Sequence, residues 1–305
     1  MTNWWPEVVK EPSGKKRVLI VADVPNWAWA KKAEQLKKHI TEFEIDIIYT
    51  TRDKLIPNYD LYHTFEFIQI QNIPAPWKSV TGITAHVWQT WEQKHNPGTV
   101  RGWASLANGV HANSKLLQHE MEEYLQQPIY YVPNGVDETF FTRTRPQSSK
   151  ELVVGFVGKP NPRKGHAIVQ KACFKAGVEL RALQRNSHTA LTSEEVREFY
   201  QDIHVLAVAS DMDGTPNPAL EAAACGCAVV ANRIGNMPEF INHGVNGLEV
   251  RRNSDSLANA FRDLAEDMPR TLAMGQAARA TIEADWTWKK LAQNYATMWR
   301  EVLAK

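Results

Sequence analysis

The chain has 305 residues, 43% of them hydrophobic, and its 35 basic and 34 acidic side chains leave a formal net charge of +1. This length accommodates two domains, and the balanced charge does not indicate a protein that binds nucleic acid through its overall field. The sequence contains no apolar run of the roughly 20 residues that cross a bilayer, and its N-terminus has no apolar signal core. Because three cysteines also suit a reducing compartment, we predict a cytoplasmic protein.

The first half of the chain alternates short apolar runs with segments of helical periodicity. Residues 17–22 (RVLIVA) are typical of a buried parallel strand, and residues 27–40 repeat apolar side chains at helical spacing. A further helix is predicted at 114–126, and further strands are predicted at 45–49, 60–67, 80–86, 109–114 and 129–137. This alternation is typical of a parallel sheet with helices on both faces.

A second series of the same kind follows a polar segment, residues 142–150, which is predicted to be a linker. Its strands are predicted at 152–158, 178–183, 204–210, 227–232 and 248–250, and its helices at 165–176, 193–200, 218–225 and 238–242. Residues 286–304 predict a terminal helix with an aromatic core-facing side. The sequence therefore predicts an α/β protein with two doubly wound, Rossmann-like parallel-sheet domains that face a cleft. Ligands of such folds bind beyond the carboxyl ends of the strands.

The segment from Asp213 to Glu221 joins a predicted strand to a predicted helix. Asn217 and Pro218 suit the cap and the first position of that helix, which would place Glu221 in its first turn. Gly214 permits close approach of the backbone, and free N–H groups at a helix start attract phosphate. Two carboxylates beside such a cradle would accept hydrogen bonds from sugar hydroxyls, so the pattern predicts a nucleotide-sugar site.

Motifs in the second half resemble glycosyltransferase family four. DGTPNPALE, AAACGCAVVA, GNMPE and HGVNGLEV occur in family order within residues 213–250, and VPNGVDETFF, GFVGKPNPRKG and DWTWKKLAQNYATMW are similar to three further family segments. The resemblance implies the GT-B fold, with an acceptor-side domain at 1–145 and a donor-binding domain at 146–285. A terminal helix at 286–305 would return to the first domain.

The resemblance also implies roles for individual residues. Glu221 would bind the ribose hydroxyls, and Asp213, where the family has glutamate, would approach the transferred sugar. Lys164 matches a family lysine and Lys159 replaces an arginine; both would pair with the donor diphosphate. His86 resembles a histidine near the donor sugar, although a lone histidine after a strand is more often structural.

The loop before the helix would complete the phosphate site through the N–H groups around Gly214 to Asn217, where Thr215 and Asn217 can donate to phosphate but Pro216 and Pro218 cannot through their backbones. Asp211 and Asp213 also fit the D-x-D metal motif of the other large glycosyltransferase fold. The parallel two-domain pattern and the downstream Glu221 favour a site without metal, so we expect no metal and no cofactor apart from the nucleotide-sugar co-substrate.

The resemblance implies a retaining hexosyltransferase that moves a sugar from a nucleoside-diphosphate donor to a hydroxyl of a glycan, lipid-linked sugar or other glycoconjugate. Three alternatives stay open: transfer to a modified base of phage-type DNA, epimerisation of a sugar nucleotide, and nucleotide-sugar binding without turnover. Trp27 and Trp29 suit stacking on an acceptor as well as core packing. Peripheral membrane contact through Trp4 and Trp5 also stays open, beside the alternative of a packing tail.

Overall fold

The computed structural model describes residues 14–305 except 51, 52, 54, 56, 75, 76, 84, 86, 95, 97, 149, 160 and 185–190. The strands are β1 (Arg17–Ala22), β2 (Glu44–Tyr49), β3 (Leu61–Thr64), β4 (Ser79–Ile83), β5 (Gly109–Ala112), β6 (Tyr130–Tyr131), β7 (Val153–Gly158), β8 (Glu179–Gln184), β9 (Val205–Val208), β10 (Ala228–Ala231) and β11 (Gly247–Glu249). The helices are α1 (Ala28–His39), α2 (Phe67–Ile70), α3 (Val87–Lys94), α4 (Thr99–Ala104), α5 (Lys115–Leu125), α6 (His166–Ala176), α7 (Ser193–Gln201), α8 (Asn217–Ala224), α9 (Met237–Phe240), α10 (Ser254–Glu266), α11 (Met268–Asp285) and α12 (Trp288–Ala304).

The strands form two separate sheets. The first has the order β2-β1-β3-β4-β5-β6 and the second the order β11-β10-β9-β7-β8. Strand pairs are parallel throughout the described part of both sheets. The predicted α/β fold with two doubly wound parallel sheets is confirmed.

Each sheet reverses its direction of winding beside its first strand. β1 has β2 on one side and β3 on the other, and β7 lies likewise between β8 and β9. In open α/β sheets a crevice opens at such a switch point, beyond the carboxyl ends of the two strands. The fold thus locates two candidate crevices, one after β1 and β3 and one after β7 and β9.

β9 shows why a short unbroken apolar run becomes a central strand. Leu206 and Val208 belong to the core that contains α8, whereas Val205 and Ala207 belong to the core that contains α6 and α10. Successive side chains of a strand point to opposite faces, so a strand covered on both faces has no polar position. The four residues of β9 are all buried.

The end of the chain crosses from the second domain back to the first, as expected. Trp286 packs edge-on against Phe240 of the second domain, with 5.8 Å between ring centroids. Further along, the Tyr295 hydroxyl donates to the Val132 carbonyl (2.8 Å) and Trp299 Nε1 donates to His63 Nδ1 (3.0 Å). α12 is therefore a component of the first domain's core.

The structure departs from the sequence prediction at several elements. The strand predicted at 60–67 ends at Thr64 and gives way to α2, and the strand predicted at 80–86 ends at Ile83. Helices α2, α3, α4, α10 and α11 come in addition to the predicted ones. None of the described helices is long and apolar enough to cross a membrane.

Candidate functional site

Two loops meet at the switch point of the second sheet. The loop 159–165 follows β7, and the loop 209–216 follows its neighbour β9. Gly165 has φ +74°, and a Cβ built there would lie 2.2 Å from the Ala209 carbonyl oxygen. Gly235 has φ +53°, and its Cβ would lie 2.3 Å from the Gly214 carbonyl oxygen. Glycine at these two positions lets the backbones of the site touch.

Lys164 and Asp213, one from each loop, form a direct ion pair. The Lys164 Nζ lies 2.5 Å from Asp213 Oδ2, and the side chains are 34% and 15% exposed. The Asn161 side chain accepts a hydrogen bond from the Lys164 backbone N–H at 3.0 Å and so supports the 3₁₀ turn Pro162–Lys164. The lysine expected on the diphosphate and the carboxylate expected near the sugar are thus brought together.

Of the other two predicted site groups, Lys159 and His86, the structure describes only Lys159. Lys159 is exposed, and its Nζ lies 5.9 Å from the ring centroid of Trp27 in the first domain. This contact brings the β1–α1 loop against the loop that follows β7. His86 lies outside the described residues, as do Trp4 and Trp5.

The two carboxylates of the D-x-D sequence do not converge. Asp211 Oδ2 lies 3.6 Å from Arg252 Nη2, whereas Asp213 pairs with Lys164. No group of three or more potential metal ligands occurs within the part of the chain that the structure describes. Each carboxylate of the pair therefore faces a cation of the protein.

The start of α8 differs from the prediction. The cap position is Pro216, no side chain caps the helix, and Asn217 is its first residue. Glu221 consequently lies in the second turn, and the expected cap by Asn217 is wrong. The Asn217 and Ala219 amides donate to the Thr215 and Pro216 carbonyls, both at 2.8 Å, so this tight turn uses amides that were expected to face phosphate.

The polar side chains of the same loop bind the first domain. The Asn217 Oδ1 accepts from Asn134 Nδ2 at 3.1 Å, and the Thr215 hydroxyl donates to the Asn113 carbonyl at 3.4 Å. Both residues were expected to donate to phosphate, because the sequence could not show which residues of the first domain would lie opposite. In the structure they join the two domains beside Gly214, which is itself buried.

Glu221, in α8, is hydrogen-bonded to a residue of α7. The Tyr200 hydroxyl donates to Glu221 Oε2 at 3.0 Å. Burial raises the pKa of Glu221, while the Tyr200 hydroxyl and the positive charge of Lys31 act in the opposite direction. The sequence contained no signal for Tyr200 or Lys31, because their proximity to Glu221 depends on how α7 and α1 pack.

The first sheet presents two carboxyl groups at its own switch point. Val21 is paired with Thr64, so Asp23 and Glu66 follow the two adjacent strands in step. Burial, followed by the charge of Asp23, raises the pKa of Glu66 to about 7. The Asp23 Oδ1 is buried, and no residue in the described ranges donates to it. Asp23, directly after the predicted strand 17–22, was a signal in the sequence, whereas Glu66 fell inside the strand predicted at 60–67 and follows a strand only because β3 ends at Thr64.

We expect Gly165→Ala to disrupt the site more than the backbone strain of its positive φ would by itself. The matched control is Gly177→Ala at the other end of α6, where φ is +69° and no atom lies within 4 Å of the new Cβ. Left-handed strain of about 1–2 kcal/mol should be common to both variants. Only Gly165→Ala should also separate the two loops, with a lower thermal midpoint and weaker nucleotide binding by calorimetry. Equal losses in both variants would contradict the loop contact.

Comparison with known proteins identifies similar sequences and structures. The family model for group 1 glycosyl transferases matches residues 145–267. A GDP-mannose-dependent monoacylated α-(1-6)-phosphatidylinositol monomannoside mannosyltransferase of Corynebacterium glutamicum is 23% identical, over 88% of this chain and 87% of that protein. A related GDP-mannose-dependent mannosyltransferase of Mycobacterium tuberculosis is 38% identical over 91 residues, which span 30% of this chain and only 24% of that enzyme.

Solved structures show the same fold. Sucrose-phosphate synthase of Thermosynechococcus elongatus has a TM-score of 0.76 at 15% identity, with 95% of this chain and all of that chain covered. HepE of Anabaena, solved with UDP and glucose, has a TM-score of 0.71 at 16% identity, covering 94% and 100% of the two chains. Residues 145–267 of this chain are thus similar to group 1 glycosyl transferases, and its two-sheet architecture is the GT-B fold of these solved structures.

Proposed function

We propose that this protein transfers a sugar from a nucleoside-diphosphate donor to an acceptor hydroxyl with retention of anomeric configuration. The observation that carries the proposal is the convergence of Lys164 and Asp213 at the switch point of the second sheet. A cation and a carboxylate there suit a ligand that has phosphate next to sugar hydroxyls. The names of the relatives, which include GDP-mannose-dependent enzymes, support a nucleotide sugar as donor.

Lys164 would exchange its protein partner for the donor. A diphosphate oxygen competes with Asp213 for the ammonium group, and the released carboxylate can then accept hydrogen bonds from the sugar. Lys159 adds a second positive charge in the same loop. Because the departing diphosphate gains negative charge, fixed cations stabilise the transition state more than the ground state.

In the proposed reaction the acceptor hydroxyl attacks the anomeric carbon on the face from which the diphosphate departs. The bond between the anomeric carbon and the phosphate oxygen breaks as the new glycosidic bond forms. The acceptor proton passes to a diphosphate oxygen, so no protein nucleophile and no metal ion enter the scheme. Positioning by the two domains then supplies most of the rate enhancement.

The acceptor would bind against the first domain, where Asp23 and Glu66 flank the switch point. Carboxyl groups bind the hydroxyls of a sugar or polyol well. They repel a phosphate backbone, so this surface favours a glycan or glycoconjugate acceptor over nucleic acid. The phosphatidylinositol mannosides named for the relatives belong to the favoured class.

The test is a panel of GDP-mannose, UDP-glucose and other nucleotide sugars, each with and without polyol and glycolipid acceptors, followed by mass spectrometry. We expect one donor to give a product that is heavier by one sugar, only when acceptor is present. NMR of the anomeric signal then reports retention. Conversion of free donor without acceptor would indicate an epimerase, and calorimetric binding without any product would indicate a binding protein.

A further inference from the structure

Helices α7 and α8 are joined by a hydrogen bond between their side chains. The Tyr200 hydroxyl, near the end of α7, donates to Glu221 Oε2 in α8 at 3.0 Å. Tyr200 is 0% exposed, whereas Glu221 is only partly buried. A ligand can therefore reach the carboxylate but not the hydroxyl, so any effect of Tyr200 on a ligand must pass through Glu221.

This hydrogen bond restricts the orientation of the Glu221 carboxylate. A carboxylate has about four acceptor sites on its two oxygens, and Tyr200 uses one of them on Oε2. Burial raises the pKa of Tyr200 well above its ordinary value, so the hydroxyl keeps its proton and remains a donor. The remaining acceptor sites of Glu221 suit a pair of neighbouring sugar hydroxyls.

Arg143 binds the C-terminal ends of the same two helices. The last carbonyls of a helix have no partner within the helix, and a cation near them is favourable. The Arg143 guanidinium group donates to the carbonyls of Tyr200 (3.1 Å) and Gln201 (3.0 Å) at the end of α7. It also donates to the Cys225 carbonyl (2.8 Å) at the end of α8. One planar group thus connects the two helix ends, with a fork of donors that lysine does not have.

The segment that carries Arg143 connects the two domains. It is the predicted linker, residues 142–150, and it makes two further hydrogen bonds with the end of α7. The Thr144 amide donates to Gln201 Oε1 at 2.8 Å, and Gln201 Nε2 donates to the Thr142 carbonyl at 3.1 Å. The connection between the domains is therefore bound directly to the pair of helices α7 and α8.

We propose that Arg143 and Tyr200 are positioning residues for the donor nucleotide. Arg143 sets α7 against α8, and the Tyr200 hydroxyl then holds the Glu221 carboxylate at the angle at which it accepts hydrogen bonds from the ribose. The inference rests on the proposed function, which supplies the ribose. Both residues act on the affinity for the nucleotide through Glu221, without touching the nucleotide themselves.

The test measures how strongly the protein prefers a nucleotide with ribose hydroxyls. Calorimetry gives the dissociation constants of UDP, GDP and their 2′,3′-dideoxy analogues for the wild type, Tyr200→Phe and Glu221→Ala. We expect the better wild-type ligand to bind about tenfold more tightly than its dideoxy analogue, the lower end of what a hydrogen bond to a charged group contributes. Glu221→Ala should abolish this preference, and Tyr200→Phe should lose most of it. Adding Tyr200→Phe to Glu221→Ala should have no further effect on the preference, because its action requires the carboxylate.

Tyr295→Phe is the matched control. Tyr295 is also 0% exposed, and its hydroxyl donates one hydrogen bond at 2.8 Å, but to the Val132 carbonyl in the first domain. Both Tyr→Phe variants lose a buried hydrogen bond, so both should lower the thermal midpoint. Only Tyr200→Phe should reduce the ribose preference and raise KM for the accepted donor with little change in kcat.

Arg143→Lys tests the linker, since it keeps the positive charge but not the planar fork. Its control is Arg145→Lys in the same segment, because Arg145 is 50% exposed and pairs with Glu198 and Asp202 at the surface. Arg143→Lys should reduce the ribose preference, and Arg145→Lys should keep it. An unchanged preference in a folded Arg143→Lys variant would overturn the role of Arg143. If that variant does not fold, Tyr200→Phe still decides the inference.

A ribose preference that is the same in the wild type, Tyr200→Phe and Tyr295→Phe would overturn the inference while leaving the enzyme assignment intact. The same holds if the wild type binds a nucleotide and its dideoxy analogue equally well. Failure of the wild-type protein to bind any nucleotide would instead refute the proposed function.

Discussion

Replacement of Lys164 by alanine should lower kcat/KM for the nucleotide sugar by about 10²–10³-fold, the effect of removing one preorganised donor to a developing oxyanion. The residue is suited to this role because the turn Pro162–Lys164 and the close packing at Gly165 hold it at the carboxyl end of β7. Its partner Asp213 is 15% exposed, so the ammonium group is already positioned beside a mostly enclosed surface. Steady-state kinetics with the donor found in the panel measure the effect.

The control for Lys164 is Lys175→Ala at the end of α6. Lys175 also pairs with a carboxylate at 2.5 Å, but its partner Asp255 is 77% exposed and belongs to α10, not to a loop that follows β7 or β9. Exposed pairs contribute little, so this variant should keep wild-type kinetics. If Lys164→Ala retains more than a third of wild-type kcat/KM, Lys164 does not bind the diphosphate and the site must be reassigned.

Replacement of Lys32 by methionine should stabilise the protein at neutral pH. Lys32 is 4% exposed, and no residue within the described ranges accepts a hydrogen bond from its Nζ. The rings of Phe65 and Tyr295 lie 4.8 and 5.0 Å from that atom. Burial lowers the pKa of Lys32 to about 7 from the model-peptide value of 10.5. Methionine fills a similar volume without a group that must give up its proton.

The effect of Lys32 on the free energy of unfolding depends on pH with a definite sign. Between pH 7 and 10.5 the unfolded chain carries the Lys32 proton and the folded protein does not, so the free energy of unfolding rises with pH. Burial of Lys32 lowers the free energy of unfolding by its full amount below pH 7 and has no effect above pH 10.5. The upper limit of this loss is about 5 kcal/mol, at 1.36 kcal/mol per pKa unit. The increase in the free energy of unfolding caused by Lys32→Met should therefore be largest near pH 7 and shrink towards pH 10.

Urea unfolding of wild type, Lys32→Met and Lys37→Met at pH 7, 8 and 9 measures this gain. Lys37→Met should follow the wild-type curve, because Lys37 is exposed. His63 and His111 lie near Lys32, and burial holds the pKa of both below the ordinary value, so they remain neutral over this range. A Lys32→Met variant with no gain at pH 7 would show that the buried amine costs the fold nothing.

The strands, loops and helix around the candidate site of the second sheet were predictable, because the information that specifies them is local. An apolar run, a glycine-containing loop and a helix with a Pro at its start predict strand, loop and helix from neighbouring residues alone, and β7, β9 and α8 form close to the expected positions. The helix start was nevertheless misplaced by one residue. Pro216 provides a suitable φ at the cap, and Asn134 of the first domain engages the side chain that was expected to cap the helix.

The partners of the site residues were not predictable, because they come from distant parts of the chain. Lys164 and Asp213 are 49 residues apart and meet only because β7 and β9 are neighbours. Lys31 is 162 residues from Ser193, and only the packing of α1 against the second domain brings them together. Asp23 and Glu66 become adjacent through the pairing of β1 with β3.

By itself, the amino-acid sequence determined two parallel α/β sheets and the loops that follow β7 and β9. These features follow from the periodicity of apolar side chains and from glycine and proline at turns, which act over a few residues, whereas the crossing of the last helix was implied by the resemblance to family segments. The tertiary structure alone decided that Lys164 pairs with Asp213, that Thr215 and Asn217 join the domains, and that Lys31 contacts Ser193. Strand order and domain packing produce those contacts, since charge and hydrogen bonding act through space between residues that are remote along the chain.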